Sequence, residues 1–256
     1  MIHNPVIETM MAHRSVRKFT PQKLDDETLE TIVLAGQQAP FAGQLCSLIY
    51  TRRPRLPFHG AVMFTICVDL HRMEVIMARR GWKTVSNNLS LLVFGIQDAS
   101  LVAENMIIAG ESLGLGSCLL GNTPYEAPKL RKFYKLPSRV FPLVQLVMGY
   151  PDEDYPPRPR YPLEFNLFEE EYPQFTDEMA TRAMKVMDEG YLAQEYYKKQ
   201  KAMIPLEKGK KETYTYTDYS WTEHISRKWG QWMEDPEDIL EPLRACGFPI
   251  QAEKED

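Results

Sequence analysis

A cluster of basic residues stands out near the start of the chain, within the segment MMAHRSVRKFTP. It places four potential cations around the hydroxyl of Ser15, namely His13, Arg14, Arg17 and Lys18. Basic side chains and a hydroxyl donor at this spacing are suited to binding an anion such as a phosphate. The alternative is a basic helix end, because cations in a last turn offset the helix dipole. This segment alone leaves both interpretations open.

A second rigid basic site lies far along the chain, at Arg158-Pro159-Arg160. Proline fixes its own φ, so the two guanidinium groups are carried by a stiff extended segment. Guanidinium groups bind phosphate in a bidentate manner. The alternative is a solvated basic link that offsets the acidic PDED run just before it.

The usual signatures of catalysis are missing from the sequence. It contains no HExxH, P-loop or GxGxxG motif, and the glycines of LGLGSCLLG follow a helix instead of opening one. No CxxC pair or metal-like grouping joins the four cysteines and five histidines. We therefore nominate no catalytic residue and no metal ligand, and anion binding is the chemistry that the residues favour.

The elements that must position these residues are a mixture of helices and strands. Asn4 and Pro5 predict a helix start, and Asp25 predicts another. The longest predicted helix is the apolar segment 95–116, whose thin polar face places it in the core or at a subunit interface. Predicted strands are 47–53, 60–70, 117–121 and 139–151, and later helices are expected near 177–200 and 221–232. This pattern alone leaves α+β and α/β architectures open.

Composition excludes several classes of protein. The chain has 256 residues, of which 44% are hydrophobic and 25% charged, with a net charge of −5. Nucleic-acid binding proteins usually carry a basic surplus, so no nucleic-acid partner is expected. The start of the chain has no apolar signal segment, and no membrane-spanning run of about 18 apolar residues is expected. The widely spaced cysteines are typical of reduced buried thiols, which predicts a cytoplasmic protein.

Four segments in a fixed order resemble the FMN-dependent nitroreductases. They are AHRSVRKFT, APFAGQLCS, DASLVAENMIIAGESLGLGSCLLGN and MGYPDEDYPPRPRYP, and YSWTEHISRKW is similar to the C-terminal helix of the NADPH-preferring, oxygen-insensitive subgroup. The resemblance implies an α+β nitroreductase fold, with a mixed, mainly antiparallel sheet covered by helices. It also implies a homodimer that exchanges C-terminal arms. Residues 1–175 would form the FMN-binding core, and 176–256 a helical arm on the partner within one domain.

The resemblance identifies the expected anion as the phosphate of FMN. His13, Arg14 and Ser15 match its phosphate and ribityl contacts. Arg158 and Arg160 match the two basic residues that close over the same phosphate.

The resemblance also assigns residues to the flavin ring. Arg17 matches the cation beside N1 and O2, where a positive charge favours the reduced state. A backbone segment matches the one whose N–H groups reach N5 and O4, namely Leu119, Leu120, Gly121 and Asn122. Gln44 matches a polar flavin contact in the small-residue turn.

The implied activity is two-step hydride transfer from NADPH or NADH, through FMN, to a nitroaromatic, a quinone or free flavin. Three alternatives stay open: a reductive dehalogenase-like flavoenzyme of the same fold, a non-enzymatic flavin-binding redox sensor, and a protein that binds a phosphosugar. The chain departs from the subgroup at Asn122, where glycine is usual, and in segment 50–95, where a glutamine-bearing element is missing. Lys208, Lys210 and Lys211 match no motif and are either an NADPH phosphate site or a solvated loop.

Overall fold

The computed structural model describes residues 2–207, 209–231 and 235–250. Chain contacts divide the protein into two compact units, one made of 1–155 with 235–256 and the other of 156–234. This division differs from the predicted boundary at 175/176. The second unit begins at residue 156, where the proline-rich segment starts. Prolines keep that segment out of the sheet because they have no backbone N–H to donate.

The first unit is built on a four-stranded sheet. Its strands are β1 (Cys46–Thr51), β2 (Val62–Asp69), β3 (Gly116–Leu120) and β4 (Val140–Gly149). The strand order is β1-β2-β4-β3 and all three pairings are antiparallel. The predicted α+β class is confirmed, and these four strands contain no parallel pair. β3 is an edge strand, so part of its backbone is available to other groups.

Nine α-helices occur in the described ranges. They are α1 (Pro5–Met11), α2 (Asp26–Gln37), α3 (His71–Arg79), α4 (Asn88–Ser112), α5 (Ala127–Tyr134), α6 (Asp177–Ala193), α7 (Tyr196–Gln200), α8 (Trp221–Gln231) and α9 (Glu237–Ala245). The predicted N-caps are confirmed, because the side chain of Asn4 accepts from Ile7 N and that of Asp25 from Thr28 N. Three short 3₁₀ helices cover Pro57–His59, Thr123–Glu126 and Leu163–Phe165.

Helix α4 packs along the sheet and starts seven residues before the predicted 95. Its buried Ala99, Ala103 and Met106 form one cluster with Phe64 of β2 and Leu146 of β4. By length and composition alone α4 could cross a membrane, contrary to the expectation that no such run exists. A core helix of a globular fold has the same composition, and here the apolar face of α4 covers the sheet.

The last described segment returns to the first unit. Leu243 of α9, Cys246 and Phe248 pack with Phe141 and Val68 in a second core cluster. The described part of 235–256 therefore packs on its own chain, whereas the predicted C-terminal arm included it.

The second unit has a small aromatic core. Tyr197 and Tyr219 are buried among neighbouring rings, together with Tyr191 of α6. Beside them Arg227 of α8 makes a bidentate contact with Glu212 at 2.7 and 2.8 Å. The unit thus has apolar and ionic interactions of its own.

Candidate functional site

The basic segment near the start of the chain runs beside the sheet after α1 has ended. Val16 N donates to Ser117 O at 2.8 Å, and Ser15 forms an isolated parallel bridge with Ser117 of β3. Phe19 bridges Pro151 just after β4, and the side chains of Val16 and Phe19 are buried. These two apolar anchors hold the intervening Arg17 at the surface.

The alternative of a basic helix end is not supported by the position of the cations. Helix α1 stops at Met11, and its last turn contains no basic residue. The charge of the following segment must therefore be balanced by other groups.

His13 is paired within its own unit. Its Nδ1 lies 2.7 Å from Oε1 of Glu111 at the end of α4, and that carboxylate is only 12% exposed. The hydroxyl of Ser117 also donates to Glu111 at 3.4 Å. The carboxylate therefore fixes the position of the His13 ring.

Arg14 is only partly satisfied. Its Nη2 donates to Oδ1 of Asp154 at 3.0 Å, but that aspartate is 94% exposed and the pair is screened by water. Within the described residues, the buried Nε of Arg14 has no hydrogen-bond partner. Arg14 lines a cleft of about 380 Å³ whose walls include Glu111, Gly116 and Pro151. An orphaned guanidinium nitrogen beside a cleft of this kind suits an anionic oxygen.

Arg17 lies at the open edge of the sheet, next to Cys118 of β3. Burial raises the pKa of the Cys118 thiol, while the charge of Arg17 opposes that rise, so the guanidinium is close to the sulfur. Among the described residues no carboxylate forms an ion pair with the Arg17 side chain, although its backbone N–H donates to Glu153. The structure therefore presents an exposed guanidinium beside β3 that has no ion-pair partner among the described residues.

The chain leaves β3 through an exposed turn at Gly121 and Asn122. Leu119 is 45% exposed, Gly121 and Asn122 are exposed, and a Cβ added at Gly121 would contact nothing. Leu120 is the last residue of β3 and pairs with Gln145. The turn is nevertheless fixed, because the hydroxyl of Thr123 donates to Leu120 O at 2.7 Å and accepts from Gln145 N at 3.0 Å. The turn after β3 is thus held in place, and Leu119, Gly121 and Asn122 are exposed.

Gln44 lies in a loop before β1, in the left-handed region with φ of 51°. It lines a cleft of about 560 Å³ together with Phe41 and Arg72. Two residues that the sequence analysis missed hold this loop, Asp98 and Arg72. The sequence contained a signal for Asp98, which is an acidic residue on the most apolar helix. A carboxylate buried there needs hydrogen-bond donors around it.

Arg158 and Arg160 belong to the second unit. Arg158 donates to Gln194 at 2.8 Å and lies over the ring of Tyr196 at 4.0 Å. Arg160 is exposed and donates to the backbone carbonyls of Arg158 and Pro159. Among the described residues, the Arg160 guanidinium forms no ion pair with a carboxylate. Their joint action with Arg14 on one phosphate stays a prediction.

The second basic run is described only in part. Lys210 lies 3.5 Å from Glu207, and Lys208 lies outside the described residues. The pairing of Lys210 agrees with a solvated loop.

The first unit thus contains an Arg14 nitrogen without a described partner, an exposed Arg17 guanidinium without a described ion pair, and an exposed turn after β3. These groups are suited to binding an anion.

Known proteins resemble this chain in sequence and in fold. The model of the nitroreductase family matches residues 10–52 and 50–150. The chain is 31% identical to an FMN reductase (NADPH) of Bacillus subtilis, over 68% of this chain and 77% of the relative. It is 28% identical to an oxygen-insensitive NADPH nitroreductase of Salmonella typhimurium, over 74% of this chain and 83% of the relative. A solved structure of a hypothetical oxidoreductase of Bacillus subtilis, YcnD, superposes with a TM-score of 0.81 at 26% identity and covers 98% of this chain and all of that one. The chain belongs to the nitroreductase family.

Proposed function

We propose that this protein is an FMN-dependent NAD(P)H oxidoreductase that reduces nitroaromatics, quinones or free flavin. The observation that carries the proposal is the exposed guanidinium of Arg17, which has no ion-pair partner among the described residues and lies in the segment that is bridged to β3. The relatives named as FMN reductase and as nitroreductase support both the cofactor and the class of acceptor. When bound, FMN supplies the two-electron hydride chemistry.

We expect the phosphate of FMN to be bound by basic and hydroxyl side chains. Arg14 offers the buried Nε that has no described partner, Ser15 offers a hydroxyl, and His13 is oriented by Glu111. Arg158 and Arg160 supply two more guanidinium groups on a proline-stiffened segment. A dianionic phosphate matches this surplus of positive charge better than a carboxylate does.

The ring would be held at the end of β3. Backbone N–H groups of 119–122 would bind its polar atoms, and Gln44 would add a side-chain contact. Arg17 would stabilise negative charge on the ring at N1 and O2. These residues bind and orient the cofactor, and the proposal assigns proton transfer to none of them.

The exposed surface of the first unit supports a homodimer. Helix α4 exposes Leu89, Val93, Phe94 and Leu101 on one side, although its other face is buried in the core. Large apolar side chains at the surface of a helix are typical of subunit interfaces. We propose that a second copy covers this face and that 156–234 is the arm that reaches it. The described part of 235–250, which packs in its own first unit, does not belong to that arm. We further propose a cytoplasmic location, with no membrane or nucleic-acid partner.

Purified protein tests the proposal directly. We expect a yellow protein with about one FMN per chain, which oxidises NADPH when a quinone or a nitroaromatic is added. A protein that gains no flavin absorbance on mixing with FMN contradicts the proposal. Flavin binding without turnover would favour a redox sensor, and turnover confined to halogenated aromatics would favour the dehalogenase-like alternative.

A further inference from the structure

The loop that carries Gln44 is held from one side by a buried carboxylate. Asp98 of α4 is 2% exposed. Its Oδ1 accepts from Ala42 N at 2.6 Å, and its Oδ2 accepts from Gly43 N at 3.1 Å and from Leu45 N at 2.8 Å. A carboxylate that is removed from water is stable only when such donors surround it, so the helix and the loop constrain each other.

The same loop is held from the other side by a guanidinium. Arg72 of α3 donates to Gln44 O at 3.2 Å and also to Cys46 O. Its Nε lies 2.9 Å from Oδ2 of Asp69, which fixes the direction of the guanidinium. The N–H groups of the loop are thus bound by an anion and its carbonyl groups by a cation.

This double restraint explains the conformation of Gln44. A residue with a Cβ is rarely found at positive φ, and the surrounding structure must enforce that conformation. The restrained backbone directs the Gln44 side chain to the wall of the cleft, where its amide has no hydrogen-bond partner among the described residues. Phe41 and Ile76 give neighbouring walls an apolar character.

We infer that Asp98 and Arg72 are positioning residues, which hold the loop of residues 41–46 so that the Gln44 amide meets the flavin. The inference rests on the proposed function, since it concerns the same cofactor. A purely structural role would also explain three hydrogen bonds. It would not make the effect of Asp98 on FMN depend on the presence of Gln44.

The first experiment needs no cofactor. In Asp98→Asn one side-chain oxygen becomes an NH₂ group, and either orientation of the amide sets that group against at least one backbone N–H. We expect amide hydrogen exchange at Ala42, Gly43 and Leu45 to accelerate at least tenfold. The control is Asp25→Ala, which removes another carboxylate-to-backbone bond, the cap of α2, and should leave exchange in the loop unchanged. Unchanged exchange in the loop of Asp98→Asn overturns the inference.

The second experiment measures FMN affinity in a double-mutant cycle. Loss of one neutral hydrogen bond in Gln44→Ala should weaken FMN binding about three- to tenfold. We expect Asp98→Asn to weaken it by at least as much and the double variant to be no weaker than Asp98→Asn alone. Effects that multiply independently overturn the inference, because Asp98 would then act on FMN by another route.

Arg72→Gln provides a second cycle if Asp98→Asn does not fold. Arg72 is more exposed than Asp98, so its loss should be tolerated, and we expect the same non-additivity with Gln44→Ala. Multiplicative effects in this cycle overturn the inference for Arg72.

These experiments also separate the inference from the proposed function. Wild-type protein that binds no FMN contradicts the proposed function while the exchange measurement still tests the restraint on the loop. Wild-type protein that binds FMN, with independent effects at Gln44 and Asp98, contradicts only the inference.

Discussion

Replacing Arg17 with glutamine separates binding of the flavin from control of its chemistry. In the free chain, Arg17 is exposed and its guanidinium has no carboxylate partner among the described residues, so its charge is available to a ligand. A cation beside N1 and O2 interacts more strongly with the anionic reduced ring than with the neutral oxidised ring. Arg17→Gln should therefore lower the reduction potential of bound FMN.

The size of this shift follows from the exposure of Arg17. Two unit charges about 4 Å apart interact by about 1 kcal/mol in water and about 4 kcal/mol near a protein surface. For a two-electron couple, about 30 mV corresponds to 1.4 kcal/mol. These limits give a decrease of about 20 to 85 mV. Because the side chain is exposed in the free chain, we expect a value in the lower half of that range.

Potentiometric titration of the wild type, Arg17→Gln and Arg14→Gln, each at full FMN occupancy, measures the effect. Arg14→Gln is the matched control because Arg14 carries the same charge in the same segment but lies at the predicted phosphate end. We expect it to weaken FMN binding with little change in potential. Equal potentials for the wild type and Arg17→Gln would remove Arg17 from the ring and refute the reasoning.

Three further predictions concern the phosphate, the turn and the second unit. Arg160→Ala should weaken FMN binding about ten- to a hundredfold, which is the effect of losing one charge-assisted hydrogen bond, and should leave the melting temperature unchanged. Unchanged affinity in a fluorescence titration would show that Arg160 does not bind the phosphate and is part of a solvated link. Gly121→Ala should leave the melting temperature unchanged, because its Cβ meets no atom, but should lower FMN affinity. Gly95→Ala is the contrasting variant, because its Cβ would lie 2.3 Å from Cγ1 of Val68 and overpacking costs about 1–3 kcal/mol of stability. The hydrogen bond to Arg227 holds the pKa of Glu212 at about 2, so this interaction stabilises the fold above pH 4.5 and is lost as the pH falls toward 2. Denaturant unfolding followed by circular dichroism should therefore show that the free energy of unfolding falls less between pH 4.5 and 2 for Glu212→Gln than for the wild type. Equal decreases in the two proteins would contradict this prediction.

Local signals in the sequence predicted much of the first unit. Capping by Asn4 and Asp25 depends on residues within one turn, and both predicted helix starts are present. The strands near Ile66 and Val144 were found because their side chains are apolar over most of their length. Such features depend on neighbours in sequence, so they can be predicted without knowledge of the tertiary structure.

Features that depend on distant partners were missed. The segment TPYE has the sequence of a capping box, but the Thr123 hydroxyl binds Leu120 O and Gln145 N, and the segment forms a 3₁₀ helix. The N-terminus of α8 likewise uses the carboxylate of Asp188, which accepts from Thr222 N at 2.9 Å. Helix α3 was not predicted, and the packing of α9 on the first unit depends on contacts more than a hundred residues apart. No local pattern encodes these pairings.

The structure separates the basic residues of the opening cluster, which the sequence could not do. Lys18 forms an ion pair with Asp152 at 2.6 Å, and the His13 ring contacts Glu111, so both side chains have a carboxylate partner within the chain. Arg17 has no described carboxylate partner, and Arg14 has only a screened one and an orphaned Nε. An anionic ligand must neutralise unbalanced positive charge, and the resemblance assigns these two arginines, but not Lys18, to the cofactor. Charge balance in the folded chain and the resemblance thus agree on Arg14, Arg17 and Lys18 but differ on His13, which the resemblance also assigns to the phosphate. The contact with Glu111 implies that His13 contributes less to phosphate affinity than Arg14, because a phosphate at His13 must compete with that carboxylate.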